Sequence, residues 1–91
     1  MIVIKSPRFE RAYKKLHANQ LVDANNAIAK VIEKPDIGEQ KKGDLGYLRV
    51  YKFSMVNQLT LLGYYLDEND EIVLTLIAIG SHENFYRDLK N

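Results

Sequence analysis

The sequence predicts one α+β domain over residues 1–91, in which a helical hairpin packs on a mostly antiparallel four-stranded sheet. Three observations support this fold class. A short apolar segment opens the chain, residues 7–34 carry apolar side chains at helical spacing, and residues 47–79 contain strand-like apolar stretches. The predicted element order is β-α-α-β-β-β-α, with a short C-terminal helix at an edge of the sheet or on its other face.

The first half of the chain predicts one strand and two helices. Residues 2–5 form the strand, and Ser6 with Pro7 marks a helix start, because a hydroxyl can cap a helix and proline suits its first position. The first helix is predicted over residues 7–17. Asn19 is a candidate cap for the second helix, which Pro35 ends by disfavouring helical geometry at the residue before it.

The second half predicts a loop, three strands and a helix. Residues 36–46 are polar and contain glycine, which is typical of a loop. Residues 47–53 alternate as in a half-buried strand, whereas residues 58–66 and 72–79 are apolar on both faces, as in strands covered on both sides. The acidic residues 67–71 predict a hairpin turn. After Gly80, Ser81 can cap a helix over residues 82–90.

Composition excludes several functions. The chain has no cysteine, which excludes disulfides, thiolate metal sites and cysteine nucleophiles. The apolar start is too short for a signal peptide, and no segment approaches the roughly 20 apolar residues of a membrane span, so we expect a cytoplasmic protein without a membrane partner. Residues 1–52 carry eleven Lys or Arg against six acidic residues, and residues 53–91 carry two against six. The basic half is suited to phosphate or an acidic partner, although Lys-rich helix faces are also common on inert surfaces.

The whole pattern resembles the RelE/ParE toxin superfamily. The resemblance rests on the chain length, the element order, the stretch from Gly43 to Tyr51, the apolar hairpin after it, and the tail Ile79-Gly80-Ser81-His82-Glu83-Asn84-Phe85-Tyr86. The tail is the most specific piece, because it is similar to the glycine-Ser/Thr-histidine ending of YafQ-type members.

The resemblance implies two activities. RelE-, YoeB- and YafQ-like members cut messenger RNA, most of them on the ribosome and without a metal, whereas ParE-like members poison DNA gyrase by binding. In both groups an antitoxin encoded beside the toxin wraps around it, and the pair represses its own operon with the antitoxin contacting the operator DNA. The sequence implies neither a cofactor nor a metal site, because its two histidines, His17 and His82, lie far apart.

His82 and Tyr86 are the candidate catalytic residues. His82 lies at a predicted helix start, where the helix dipole disfavours imidazolium and leaves a neutral ring that can act as a base. It also matches the catalytic histidine of YafQ-like toxins. Tyr86 follows one helical turn later, on the same face, and could stack on a nucleobase or donate a proton. The alternatives are a surface histidine and an aromatic that anchors the helix, and we favour the anchoring role for Phe85.

The candidate RNA-binding residues surround a predicted strand. Arg49 would contact phosphate, and Tyr47 and Tyr51 on the same strand face would stack on bases. Lys52 points to the opposite face of a regular strand and would reach the RNA only if a bulge turned it round. Arg87 is a further cation. The alternative for Arg49 and Lys52 is an ion pair or an apolar stem over the core.

The candidate catalytic residues of this chain do not make up the full set found in any of the nuclease groups. RelE-like toxins have an arginine early in the next strand, where this chain has Asn57-Gln58-Leu59. The histidine and aspartate of YafQ-like toxins are absent near residues 51–55, and no clear equivalent of the YoeB-like glutamate is evident. We therefore rank a ribosome-dependent mRNA endoribonuclease first, a gyrase poison second, and an inert antitoxin- or DNA-binding protein third.

Overall fold

The computed structural model describes residues 1–90, which form three α-helices and five β-strands. The elements are β1 (Ile2–Lys5), α1 (Pro7–Lys14), α2 (Ala18–Glu33), β2 (Glu39–Gln40), β3 (Arg49–Met55), β4 (Gln58–Asp67), β5 (Val73–Ser81) and α3 (His82–Lys90), with a 3₁₀ turn at Gly43–Leu45. The predicted α+β class is confirmed, and the predicted element order differs from the observed one only by the additional strand β2. None of the helices within residues 1–90 is long and apolar enough to cross a membrane.

The five strands form one sheet in the order β1-β5-β4-β3-β2. β1 runs parallel to β5, and every other neighbouring pair is antiparallel. The prediction of four strands was wrong by one, because the polar loop contains the two-residue strand β2. β2 pairs only with Arg49 and Val50, and so short a strand has no apolar alternation by which the sequence could reveal it.

The helical hairpin begins at the predicted cap. Ser6 Oγ accepts a hydrogen bond from the N–H of Phe9 at 3.0 Å and donates one to the Ile77 carbonyl at 2.8 Å, so it caps α1 and joins it to β5. α1 ends at Lys14, three residues before the predicted end. The predicted cap at Asn19 was also wrong, since His17 opens α2 and its N–H donates to the side chain of Gln20 at 2.8 Å.

The sheet carries one apolar layer on each face. Beneath α1 and α2 lies the larger layer, which includes Phe9, Ala24, Ala27, Val31, Leu62, Tyr64, Leu74 and Leu76. On the opposite face, Phe85 of α3 packs with Leu48, Val50, Leu61 and Ala78 of the sheet and the segment before it. The sequence left two positions open for the last helix, and the structure places it on the other face of the sheet.

Tyr64 joins the sheet to the segment that follows α2. Its side chain is fully buried, and its hydroxyl donates to the Pro35 carbonyl at 2.5 Å and accepts from the Gly38 N–H at 2.9 Å. Burial raises the pKa of Tyr64, although the Gly38 hydrogen bond acts in the opposite direction. The hydroxyl therefore fixes the loop from which β2 starts.

We expect Tyr64→Phe to lower the free energy of unfolding by about 1–3 kcal/mol, because Gly38 would lose its acceptor in a buried place. Urea denaturation measures this loss. Tyr65→Phe, on an exposed neighbour, is the control and should change stability by less than about 0.5 kcal/mol. Because the folded-state pKa of Tyr64 is raised, its contribution is complete at neutral pH and is lost as the pH rises above about 10. Equal stability of Tyr64→Phe and the native protein would contradict this role.

Gly63 allows α3 to approach the sheet. A Cβ atom at Gly63 would lie 2.5 Å from Cζ of the buried Phe85 and 3.2 Å from a Leu48 methyl. Gly63→Ala should therefore displace α3 and destabilise the fold by about 1–3 kcal/mol. Gly80→Ala is the matched control, since a Cβ there meets no atom within 4 Å. Urea denaturation measures the stability of both variants. An equal loss of stability in the two would contradict this role of Gly63.

Candidate active site on the C-terminal helix

α3 starts without a linker at the end of β5 and is held by one buried ring. Ser81 closes β5, and its Oγ accepts a hydrogen bond from the Asn84 N–H at 3.4 Å, so it acts as the predicted cap. Phe85 is 2% exposed and packs against the sheet at Gly63, which confirms that its role is to anchor the helix. The positions of His82 and Tyr86 follow from this anchor.

His82 and Tyr86 contact each other on one flank of α3. Their ring centroids are 5.7 Å apart, and the planes meet edge to face at 72°. His82 is exposed and Tyr86 is half-buried, so both rings remain accessible. The one-turn spacing in the sequence thus places the two side chains in contact. Their imidazole and phenol can therefore act on the same bound molecule.

Lys41 and Glu39 extend this pair towards β2. Lys41 Nζ lies 5.7 Å from the centroid of the Tyr86 ring and 2.9 Å from Glu39 Oε1. The hydrogen bond from Lys41, and then its charge, lower the pKa of the Glu39 carboxyl. The hydrogen bond to Glu39, and then the nearby Tyr86 hydroxyl, raise the pKa of Lys41. We call Glu39, Lys41, His82 and Tyr86 the active-site cluster.

Sequence reasoning missed Glu39 and Lys41 because both fall in the stretch that it treated as a polar loop. β2 turns this stretch towards α3: Glu39 is paired with Val50, whose side chain belongs to the layer under α3. The Lys41 N–H donates to the Leu48 carbonyl at 2.9 Å and continues the pairing by one residue. The alternation Glu39-Gln40-Lys41 is the only sequence signal, and it is a weak one.

Arg49 lies away from the active-site cluster. Its guanidinium donates to the carbonyl of Gly38 at 2.8 Å and, more weakly, to that of Asp36 at 3.4 Å. It therefore holds the same loop as Tyr64. Tyr51 lies on the same face as Arg49 and stacks on Phe53, with centroids 6.1 Å apart, over the helical hairpin. The structure does not bring Arg49 or Tyr51 near His82.

The other three predicted residues occupy separate places. β3 pairs with β4 in a regular register, with Lys52 opposite Leu61 and therefore on the α3 face, where its charge also acts on Glu39. Tyr47 precedes β3 and contacts Tyr65, with centroids 6.3 Å apart, so the prediction that it shares a strand face with Tyr51 was wrong.

Arg87 is exposed on α3. It donates to Asn84 Oδ1 at 2.6 Å and lies 3.9 Å from an Asp88 carboxylate oxygen. Within residues 1–90, no group of three or more His, Cys, Asp or Glu side chains is arranged to hold a metal ion.

Two solved structures share this fold. One is the crystal structure of the intact E. coli RelBE toxin–antitoxin complex, in which a chain matches with a TM-score of 0.67 and 19% identity, covering 88% of this chain and 94% of that one. The other is a double arginine-to-alanine mutant of the E. coli toxin RelE in the free state, with a TM-score of 0.66 and 19% identity, covering 91% and 84%.

Family-level sequence comparison is more specific. No curated protein matches the chain as an individual sequence. The model of the family described as ParE-like toxins of type II bacterial toxin–antitoxin systems, however, matches residues 3–90, which is nearly the full length. The chain therefore belongs to the ParE-like toxins of type II bacterial toxin–antitoxin systems.

Proposed function

We propose that this toxin cleaves messenger RNA on the ribosome without a metal ion, in the cytoplasm, and so stops translation until an antitoxin neutralises it. The observation that carries the proposal is the active-site cluster. Its carboxylate, ammonium, phenol and imidazole form a continuous chain of contacts on one face of the sheet. Metal-free RNA cleavage needs these kinds of group: a base, an acid and a cation.

The cluster supplies each proton transfer. His82, exposed at the start of α3, takes the proton from the 2′-hydroxyl while that oxygen attacks the adjacent phosphorus. The bond from phosphorus to the 5′-oxygen breaks, and Tyr86 donates its phenolic proton to the leaving oxygen. The products are a 2′,3′-cyclic phosphate on the upstream fragment and a 5′-hydroxyl on the downstream fragment. The ammonium of Lys41 stabilises the charge that develops on the Tyr86 oxygen.

Lys41 in the cluster and Lys52 beside it stabilise the phosphorane. Lys41 is protonated at neutral pH, as lysines ordinarily are, and its pKa is raised further; Lys52 lies on the same face of the sheet. Glu39 is a positioning residue in this scheme, because its carboxylate holds Lys41 Nζ at 2.9 Å. Arg49 and Tyr51 act from outside the site in this proposal, Arg49 by fixing the loop before β2 and Tyr51 by packing on the hairpin.

The proposed partner is a cognate antitoxin. The family is defined by toxin–antitoxin systems, and one of the two similar structures is a toxin–antitoxin complex. We propose that the antitoxin binds this chain, inhibits it and carries the contacts to operator DNA.

Gyrase poisoning is the second candidate. The observation in its favour is the family description itself, which names ParE-like toxins, the group that the sequence resemblance associates with gyrase. In that case the exposed His82 would have no chemical role, and toxicity would survive its removal.

His82→Ala should abolish toxicity, because loss of the base costs about a hundredfold or more in rate. The measurement is pulse-labelling with methionine and thymidine a few minutes after induction of the toxin alone. The native chain should stop methionine incorporation first, and His82→Ala should stop neither. His17→Ala removes the other histidine, which is exposed at the start of α2, and should remain toxic. Early loss of thymidine incorporation that persists in His82→Ala would overturn the proposal in favour of gyrase.

Lys41→Met should reduce RNA cleavage by about a hundredfold with antitoxin affinity unchanged, because a preorganised cation is lost at the site where charge develops. Lys41→Arg should retain more activity than Lys41→Met, since it keeps the positive charge. Lys42→Met is the matched control, because Lys42 is the exposed next residue. Cleavage of ribosome-bound mRNA by each purified variant is the measurement, and equal rates for Lys41→Met and Lys42→Met would exclude Lys41 from the site.

A further inference from the structure

β1 leaves one edge of the sheet open. It is the outermost strand, and it pairs on one side only, with β5. The N–H of Ile2 donates to the Ile72 carbonyl at 2.9 Å, so the main-chain groups of Ile2 and Ile4 face β5. Those of Val3 and Lys5 point the other way, and no strand within residues 1–90 pairs with them. We call this side of β1 the open edge.

The open edge lacks the features that usually prevent further strand pairing. Ile2, Val3 and Ile4 are 42%, 37% and 47% exposed, and the adjacent Ile72 is 45% exposed. Natural edge strands are commonly protected by lysine within the strand, proline, a bulge or a covering helix. Here the lysine, Lys5, stands at the end of the strand, and the register with β5 is regular. The apolar stretch is therefore open to another strand.

Neither neighbouring helix covers the open edge. Phe9 of α1 shares an apolar layer with Leu74 and Leu76, so α1 lies over β5. Phe85 of α3 packs at Gly63, in β4. All four residues of β1 are exposed as a result. Since neighbouring strands of a sheet lie about 4.8 Å apart, an added strand would fit beside β1 without displacing either helix.

The charges at the two ends of β1 favour a second copy of this chain as the partner. The acidic turn at residues 67–71 precedes β5, which runs parallel to β1, so the turn lies level with the start of β1. The end of β1 leads into α1 and is basic, with Lys5, Arg8 and Arg11. Antiparallel pairing of two copies would therefore bring the acidic end of each one towards the basic end of the other.

We propose that two copies of this chain associate through their open edges, in antiparallel pairing about a two-fold axis at Ile4, which joins their five-stranded sheets into one. In this register Val3 of each copy lies opposite Lys5 of the other, and the two residues exchange both main-chain hydrogen bonds. Each Lys5 then has an apolar neighbour, and the two Ile4 side chains meet at the axis. A register centred on Lys5 would instead place two ammonium groups side by side.

This association leaves the active-site cluster accessible. Glu39 lies in β2, at the edge of the sheet opposite β1. The two clusters of the dimer would lie at its outer ends, and formation of the dimer does not depend on RNA cleavage. Because two short strands bury less than the roughly 1,600 Å² of a standard interface, we expect a dissociation constant in the micromolar range.

Sedimentation equilibrium of the purified chain over micromolar concentrations tests the association. The weight-average mass should rise with concentration from 10.5 kDa towards twice that value. Ile4→Lys should weaken association by about tenfold or more, because two ammonium groups would meet at the axis. Ile4→Glu should weaken it likewise, and an equimolar mixture of the two variants should associate again, since opposite charges then meet. Val22→Lys changes an exposed apolar residue of α2 in the same way and should associate like the native chain.

Hydrogen exchange locates the contact. The amides of Val3 and Lys5 should become protected as the concentration of the native chain rises, and they should stay unprotected in Ile4→Lys. A native chain that stays monomeric, equal association of Ile4→Lys and Val22→Lys, or a mixture of the Ile4 variants that fails to associate would overturn the proposal. Protection of Val3 and Lys5 only after addition of the antitoxin would also overturn it, and would assign the open edge to the antitoxin.

Discussion

The hydroxyl of Tyr64 fixes the segment that carries Glu39 and Lys41, one half of the active-site cluster. It donates to Pro35 and accepts from Gly38, so the segment leaving α2 is held against β4 at a buried point. Arg49 reinforces the same place through the Gly38 carbonyl. β2 begins at the next residue, Glu39. The direction in which Glu39 and Lys41 approach α3 is therefore set by a hydrogen bond on the opposite face of the sheet.

The neighbouring residue in β4 controls the other half of the cluster. Gly63 receives the ring of Phe85, and no larger residue would let α3 lie at this depth. The register of β4 with β5 shifts between Gly63 and Tyr64, leaving Ile77 as the extra residue in β5. Gly63 and Tyr64 thus face opposite layers. Gly63 sets the position of α3, and Tyr64 sets the position of β2. The geometry of the cluster depends on this short stretch of β4.

The sequence predicted the elements better than their contacts. Ser6-Pro7 and the tail after Gly80 mark helix starts by local chemistry, and both starts occur at the predicted residues. The pairing of Tyr86 with His82 also follows from helical spacing. β2, the Glu39–Lys41 pair and the commitment of Arg49 to backbone carbonyls were not predicted, because each depends on tertiary contacts between segments distant in sequence. Local patterns contain no information on such contacts.

We propose that the active-site cluster cleaves RNA by attack of the 2′-hydroxyl, and the chemical nature of the fragment ends is the decisive measurement. Messenger RNA would be recovered from ribosomes treated with the purified toxin, and both new ends would be identified. We expect a 2′,3′-cyclic phosphate on the upstream fragment and a 5′-hydroxyl on the downstream fragment, since the attacking oxygen belongs to the RNA. Intact RNA, or fragments with a 5′-phosphate and a free 3′-hydroxyl, would contradict it.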